Sequence, residues 1–223
     1  MGIVPVTCTD VEAGQAVYTR WTLAAYDFVV LGVSNRLVWN CPTQRFLGHY
    51  NRHVTGNHLD VGVGTGYFLD RCRFPTPRPR VALMDLNAES LAFASARIAR
   101  YEPECYRQNV LEPIPMNAGG FDSVGLNYLL HCLPGDVESK SVVFDHVAAL
   151  MNPGAVLFGA TLLQGGVPRK WIAQRLMDVY NRKGIFSNER DDLPSLNRSL
   201  RKRFKDVSVE VVGCAALFSG RTC

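Results

Sequence analysis

Residues 58–69 read HLDVGVGTGYFL, and this stretch decides the fold. An apolar run passes through Asp60 into three glycines, Gly62, Gly64 and Gly66, and helix-forming residues follow. Glycine lets the backbone turn into conformations closed to other residues and lets a ligand approach closely. The helix start beyond offers N–H groups that no turn of helix has yet used, a setting that suits an anionic group or a carboxylate. A dinucleotide fingerprint spaces its glycines G-x-G-x-x-G. Tyr67 stands where the third glycine of that pattern belongs, and its bulk argues against a nicotinamide cofactor. A glycine turn that holds no ligand is the plain alternative.

Outward from this run the pattern alternates. Strands are expected at residues 57–63, 81–85, 104–110, 121–130 and 155–163. Helices are expected at 43–54, from 67, and at 89–100, 141–151 and 171–180. Leu91, Ala94 and Ile98 share one helical face, as do Val143, Val147 and Leu150. Residues 74–80 (FPTPRPR) are too rich in proline for helix. Residues 164–193 read as a glycine start, a helix and a polar loop. Two closing strands, 207–212 and 215–219, meet near Gly213. Strands that alternate with helices predict a mostly parallel sheet covered on both faces, here seven-stranded, with an antiparallel edge pair. Such sheets bind ligands at the carboxyl ends of their strands, where the strand order switches. Residues 11–31 are apolar and aromatic and read as one or two helices that could cover the site. The organisation expected is therefore one α/β domain: a helical lid over 1–55, a core over 56–163, a substrate-side insertion over 164–200 and closing strands over 201–223.

Residues 59–66 (LDVGVGTG) resemble the first motif of class I S-adenosylmethionine (SAM)-dependent methyltransferases, and the likeness continues in order and spacing to about residue 163. The resemblance implies a Rossmann-like methyltransferase fold and SAM as cofactor, with S-adenosylhomocysteine (SAH) as its product. It implies that Asp60 anchors the amino end of SAM and that Gly62, Gly64 and Gly66 wrap its methionine part. Asp85, ending the run VALMD, would bind the ribose hydroxyls, as an acidic strand tip does in this architecture. Leu86 and Val110 would border the adenine. Asn109 stands where the family usually has Asp, and its carbonyl oxygen can accept the same bond. Asn127 opens the segment NYLLH, under the reactive methyl. Each position has a bland reading: Asp60 as a turn cap, Asp85 as a cap for the next helix, Asn109 as a strand-end turn.

Methyl transfer needs alignment above all, and in some cases a base. His131 is the base candidate, with a lining role as its alternative. His49 and His53 lie four apart on an expected helix and could face the cleft together, or lie at the surface. Tyr18, Trp21 and Tyr26 fall where the family folds lid aromatics over the sulfonium, which aromatic faces attract. Tyr128, Trp171 and Tyr180 are expected to line an apolar acceptor pocket. The run NYLL lacks the prolines of the motif with which amino-methylating enzymes of nucleic acids hold their base.

Composition agrees with an enzyme of this kind. Apolar residues make up 47% of 223 and charged residues 20%, and the net charge of +4 is too mild to call for a nucleic-acid partner. The basic run 198–205 (RSLRKRFK) reads as a solvated helix face. No run of about 20 apolar residues suits a membrane span. Seven scattered cysteines form no CxxC pair, which points to reduced thiols in the cytoplasm and to no metal site. The start of the chain lacks the features of a secretory signal. The expected function is methyl transfer to a small molecule, such as a natural-product intermediate, with oxygen weakly favoured as acceptor. A SAM-binding cyclase or a non-catalytic SAM-binding protein on the same fold is the alternative.

Overall fold

The computed structural model describes residues 34–115 and 120–223. Tyr18, Trp21, Tyr26 and most of the expected lid lie outside them.

The glycine run leaves an interior strand of a seven-stranded sheet. The strands are β1 (Asn57–Val61), β2 (Arg80–Asp85), β3 (Glu104–Arg107), β4 (Phe121–Asn127), β5 (Met151–Leu162), β6 (Lys205–Val212) and β7 (Ala215–Arg221). Their spatial order is β3-β2-β1-β4-β5-β7-β6. β1 pairs in parallel with β2 on one side and β4 on the other, with Asp60 beside both Leu83 and Gly125. β7 runs antiparallel to both β5 and β6. The chain order reverses between β1 and β4, which puts the switch point directly above the glycines.

After a one-turn helix at Asn35–Leu37, the helices among the described residues are α1 (Thr43–His53), α2 (Tyr67–Arg71), α3 (Ala88–Arg97), α4 (Val137–Lys140), α5 (Val142–Ala148), α6 (Trp171–Arg182) and α7 (Leu193–Arg201). Successive side chains on a strand face opposite ways, so each strand feeds two cores. Leu59, Ala82, Val124 and Leu126 pack with Phe144 and Val147 of α5 and with Leu196 and Leu200 of α7. Val81, Leu83 and Phe158 pack on the other face with Tyr50 of α1 and with Leu91 and Ala94 of α3. Burying a large apolar side chain contributes about 1.5–3 kcal/mol. Continuous apolar strands covered on both sides are therefore what holds the sheet.

Several boundaries differ from expectation, and three of them have a clear local reason. β4 stops at Asn127 because Tyr128 takes a left-handed conformation (φ 59°) and a 3₁₀ turn, Leu130–Cys132, follows. β5 starts at Met151, before Pro153 and Gly154. Those residues form an irregularity within the strand, where its register with β4 shifts. The helix face expected over 198–205 belongs to α7, which starts earlier, at Leu193, and ends at Arg201. Asp192 caps this helix by accepting from Ser195 N–H at 2.7 Å, and Pro194 stands in its first turn. Leu196 and Leu200 face inward, while the basic residues Arg198, Arg201 and Lys202 are exposed.

Candidate active site

The cleft opens at the carboxyl ends of β1, β2 and β4 as two lobes on either side of Tyr128. One lobe, of about 760 Å³, is bounded by Gly62, Gly64, Asp85, Leu86, Asn109 and Val110. The other, of about 500 Å³, is bounded by Asp60, Gly64, Gly66, Phe68 and Asn127.

The loop between β1 and α2 makes the shared wall. Gly62, Gly64 and Gly66 all have positive φ, at 72°, 51° and 69°. Two of these glycines do different work. A Cβ on Gly64 would meet nothing within 4 Å, so this backbone faces open cleft. A Cβ on Gly66 would lie 3.1 Å from Cα and Cβ of Ala94, so this glycine brings the loop against α3.

Asp85 ends β2 with its carboxylate at the cleft. Its Oδ1 accepts from Asn87 N–H at 2.9 Å. Burial raises its pKa to about 6, and the backbone N–H groups of Asn87, Gly64, Val63 and Leu86 partly offset that rise. A desolvated carboxylate at a strand tip is a strong acceptor waiting for hydroxyl donors. Asn87, not Asp85, caps α3, accepting from Glu89 and Ser90 N–H. Asn109 lines the same lobe but is engaged locally: its Oδ1 accepts from Leu111 N–H at 3.1 Å and its amide donates to Glu112 at 2.8 Å.

In the other lobe Asn127 is buried and its side-chain amide nitrogen has no hydrogen-bond partner. An orphaned buried donor costs about 1–3 kcal/mol, which a bound acceptor would recover. Asp60 lies in the same lobe and supplies an acceptor. An amino-acid zwitterion carries one group for each: a carboxylate for the amide and an ammonium for Asp60. Together with Asp85, an acceptor for a ribose diol, these residues fit SAM.

Tyr128 separates the lobes and is held from three sides. Its N–H donates to Ala160 O at 2.8 Å and its hydroxyl donates to buried Asn35 Oδ1 at 2.7 Å. Its ring lies 5.0 Å from that of Phe46. A tyrosine with positive φ is strained, and such strain persists only where the surroundings fix it.

The remaining expected site residues lie elsewhere. His131 is 2% exposed and lies outside the two lobes, edge-on to Phe186 at 4.6 Å and to Tyr128 at 5.5 Å. Its Nδ1 sits 3.4 Å from both Leu162 N and Thr161 Oγ1. Burial, and then the charge of Lys140, lower its pKa to about 3. His49 is buried between α1 and the sheet, with Nε2 2.9 Å from Phe218 O and its ring 4.7 Å from that of His53. His53 packs toward Phe158. These two histidines therefore face the helix–sheet interface and not the cleft. Trp171 is 71% exposed at the start of α6, and Tyr180 packs half-buried on Phe186, 4.9 Å between centroids. Sequence reading missed Gln108, Leu129 and Leu133 of the first lobe. Leu129 sits under the loop, 2.8 Å from where a Gly62 Cβ would be. Nothing in the local pattern marks them, because they reach the cleft through turns rather than through a motif. Among the described residues no group of three His, Cys, Asp or Glu side chains is arranged to hold a metal ion. No helix there is long and apolar enough to cross a membrane.

Comparison with known proteins agrees with this geometry. A family model described as a methyltransferase domain matches residues 59–157. The chain is 39% identical over 209 residues to a demethylluteothin O-methyltransferase of Streptomyces thioluteus, covering 94% of this chain and 91% of the relative. It is 39% identical over 212 residues to a physcion biosynthesis cluster O-methyltransferase of Aspergillus chevalieri, covering 94% and 95%. The solved structure of a DhpI–SAH complex superposes with a TM-score of 0.71 at 17% identity, over 97% of this chain and 98% of that one, and shows the same fold. The chain belongs to the class I SAM-dependent methyltransferases. It is an enzyme that uses SAM to methylate a small molecule, and the two relatives just described are named O-methyltransferases.

Proposed function

We propose that this enzyme methylates an acidic hydroxyl, phenolic or enolic, on a partly apolar natural-product intermediate in the cytoplasm. The observation that carries the choice of acceptor is His131. A group whose pKa is held near 3 is a poor proton acceptor, because general bases work best with a pKa near the operating pH. An acceptor that ionises readily needs no stronger base. With Nδ1 turned to Leu162 N–H, the neutral ring sits behind Tyr128, edge-on to it at 5.5 Å, and supports the cleft wall from outside the lobes.

SAM supplies an electrophilic methyl on a sulfonium, and the chain supplies alignment. Asp60 takes the ammonium and Asn127 the carboxylate. The loop of Gly62, Gly64 and Gly66 follows the methionine chain, and Asp85 takes the ribose diol. Leu86 and Val110 border the adenine, with Asn109 at its rim. Tyr128, fixed between the lobes, sets the direction from which the acceptor approaches. Tyr128, with Leu129 and Leu133 beside it in the first lobe, suits a partly apolar acceptor.

The test is turnover with methyl-labelled SAM and a panel of phenols, enols, amines and thiols, following SAH and labelled product together. Label in a hydroxyl-derived ether is expected. Label on nitrogen or sulfur would overturn the choice of acceptor. An acceptor transformed without label transfer would favour the cyclase reading.

A further inference from the structure

Behind Asp60, and outside the cleft, runs a buried chain of polar side chains that the methyl-transfer reading does not use. Tyr50 of α1 is fully buried and its hydroxyl donates to Asp60 Oδ2. The same hydroxyl lies 2.8 Å from His58 Nε2. His58, also fully buried, has its Nδ1 2.8 Å from Ser123 Oγ of β4. Ser123 Oγ in turn accepts from Thr55 N–H at 3.0 Å. Phe158 packs edge-on to Tyr50 and stacks on His58, and Phe68 stacks on Tyr50, so both rings are held.

The donors fix the polarity. A phenol has one proton, and Tyr50 gives it to a carboxylate that can only accept. Its oxygen must then accept, so His58 Nε2 carries a proton directed at it. Oδ2 of Asp60 is thereby occupied from below. Oδ1 has no hydrogen bond among the described residues, and the side chain keeps 8% of its surface exposed, in the lobe that it lines. We infer that Tyr50, backed by His58 and Ser123, is a positioning relay that locks the Asp60 carboxylate with one oxygen aimed at the ammonium of the cofactor's amino-acid part. This inference rests on the reading of Asp60 as the ammonium anchor. Polar groups of this kind are satisfied by one another and gain strength in a low-dielectric interior.

The relay acts on the amino-acid end alone, and that makes it testable without an acceptor. SAH carries the amino acid. 5′-Methylthioadenosine carries the same nucleoside and thioether without it. Both are titrated calorimetrically into the wild-type protein, Tyr50→Phe and Ser123→Ala. Tyr50→Phe keeps the packed ring, and Ser123→Ala changes only the far end of the chain. Losing one charge-assisted hydrogen bond at Asp60 is expected to weaken SAH by roughly tenfold or more in Tyr50→Phe, and by less in Ser123→Ala. Affinity for 5′-methylthioadenosine is expected to stay at the wild-type value in both, which also shows that the variants fold. Equal weakening of the two ligands, or of neither, would overturn the relay while leaving the cofactor site standing. A wild-type protein that binds 5′-methylthioadenosine as tightly as SAH would overturn both the relay and the role of Asp60. Binding of neither ligand would overturn the cofactor site itself, and the relay with it.

Discussion

Asp85→Asn tests the ribose anchor, and pH provides the discriminating axis. In the protein without ligand the Asp85 carboxyl has a pKa near 6, because burial disfavours its charged form. A ribose diol donates to the ionised form, so binding competes with protonation. The apparent dissociation constant scales as one plus the ratio of protonated to ionised carboxyl. That factor is about 1.1 at pH 7 and about 11 at pH 5 for a pKa near 6, so SAH should bind about tenfold more weakly at pH 5. The variant keeps one acceptor, loses one charge-assisted bond and has nothing to titrate. Its affinity should be roughly tenfold to a hundredfold lower at pH 7 and flat down to pH 5. The stability control runs the other way. A carboxyl whose pKa is raised on folding lowers stability once ionised, so this cost is absent below the unfolded pKa and complete above about 6. Asp85→Asn should therefore melt no lower than wild type at pH 7.5 without ligand. Calorimetry from pH 5 to 7 and thermal melts measure both. A wild-type affinity that is flat with pH, or a variant with the wild-type slope, would refute the reasoning.

Lys140 and Asp191 form a buried ion pair, Nζ to Oδ2 2.7 Å, with both side chains at most 2% exposed. Lys140→Met should cost about 3–5 kcal/mol in urea unfolding by stranding Asp191, and adding Asp191→Leu should recover most of it. Gly66→Ala should lower the melting temperature through its left-handed backbone and its 3.1 Å approach to Ala94. Gly64→Ala, which has open space, should pay only the backbone strain of about 1–2 kcal/mol and instead weaken SAH in a titration. His131, with a pKa near 3, is neutral from pH 5 to 9. The pH–rate profile should therefore show no inflection that His131→Gln removes, and an inflection near pH 6–7 abolished by that variant would reinstate it as a general base.

The alternation of apolar runs with helical periods, and the glycines at 62, 64 and 66, were enough by themselves to determine a parallel α/β sheet with a ligand site at its switch point, while SAM came from the resemblance of residues 59–66 to the family motif. The reason is local. Strand burial on both faces demands continuous apolar residues, and a tight turn with positive φ demands glycine at fixed offsets. The resemblance named Asp60, Asp85 and Asn127, and the structure brings all three to the cleft. The tertiary structure decided what depends on residues distant in sequence. It turned His49 and His53 into the interface of α1 with β5 and β7, because a helical face is chosen by what packs on it. It buried His131 against Phe186, some 55 residues away, and took its basicity with the water. It set the extent of α7, starting that helix at Leu193 and ending it at Arg201, because the sheet gives Leu196 and Leu200 a core to enter. It also joined Tyr50, His58 and Ser123 behind Asp60, from three elements that no periodicity links.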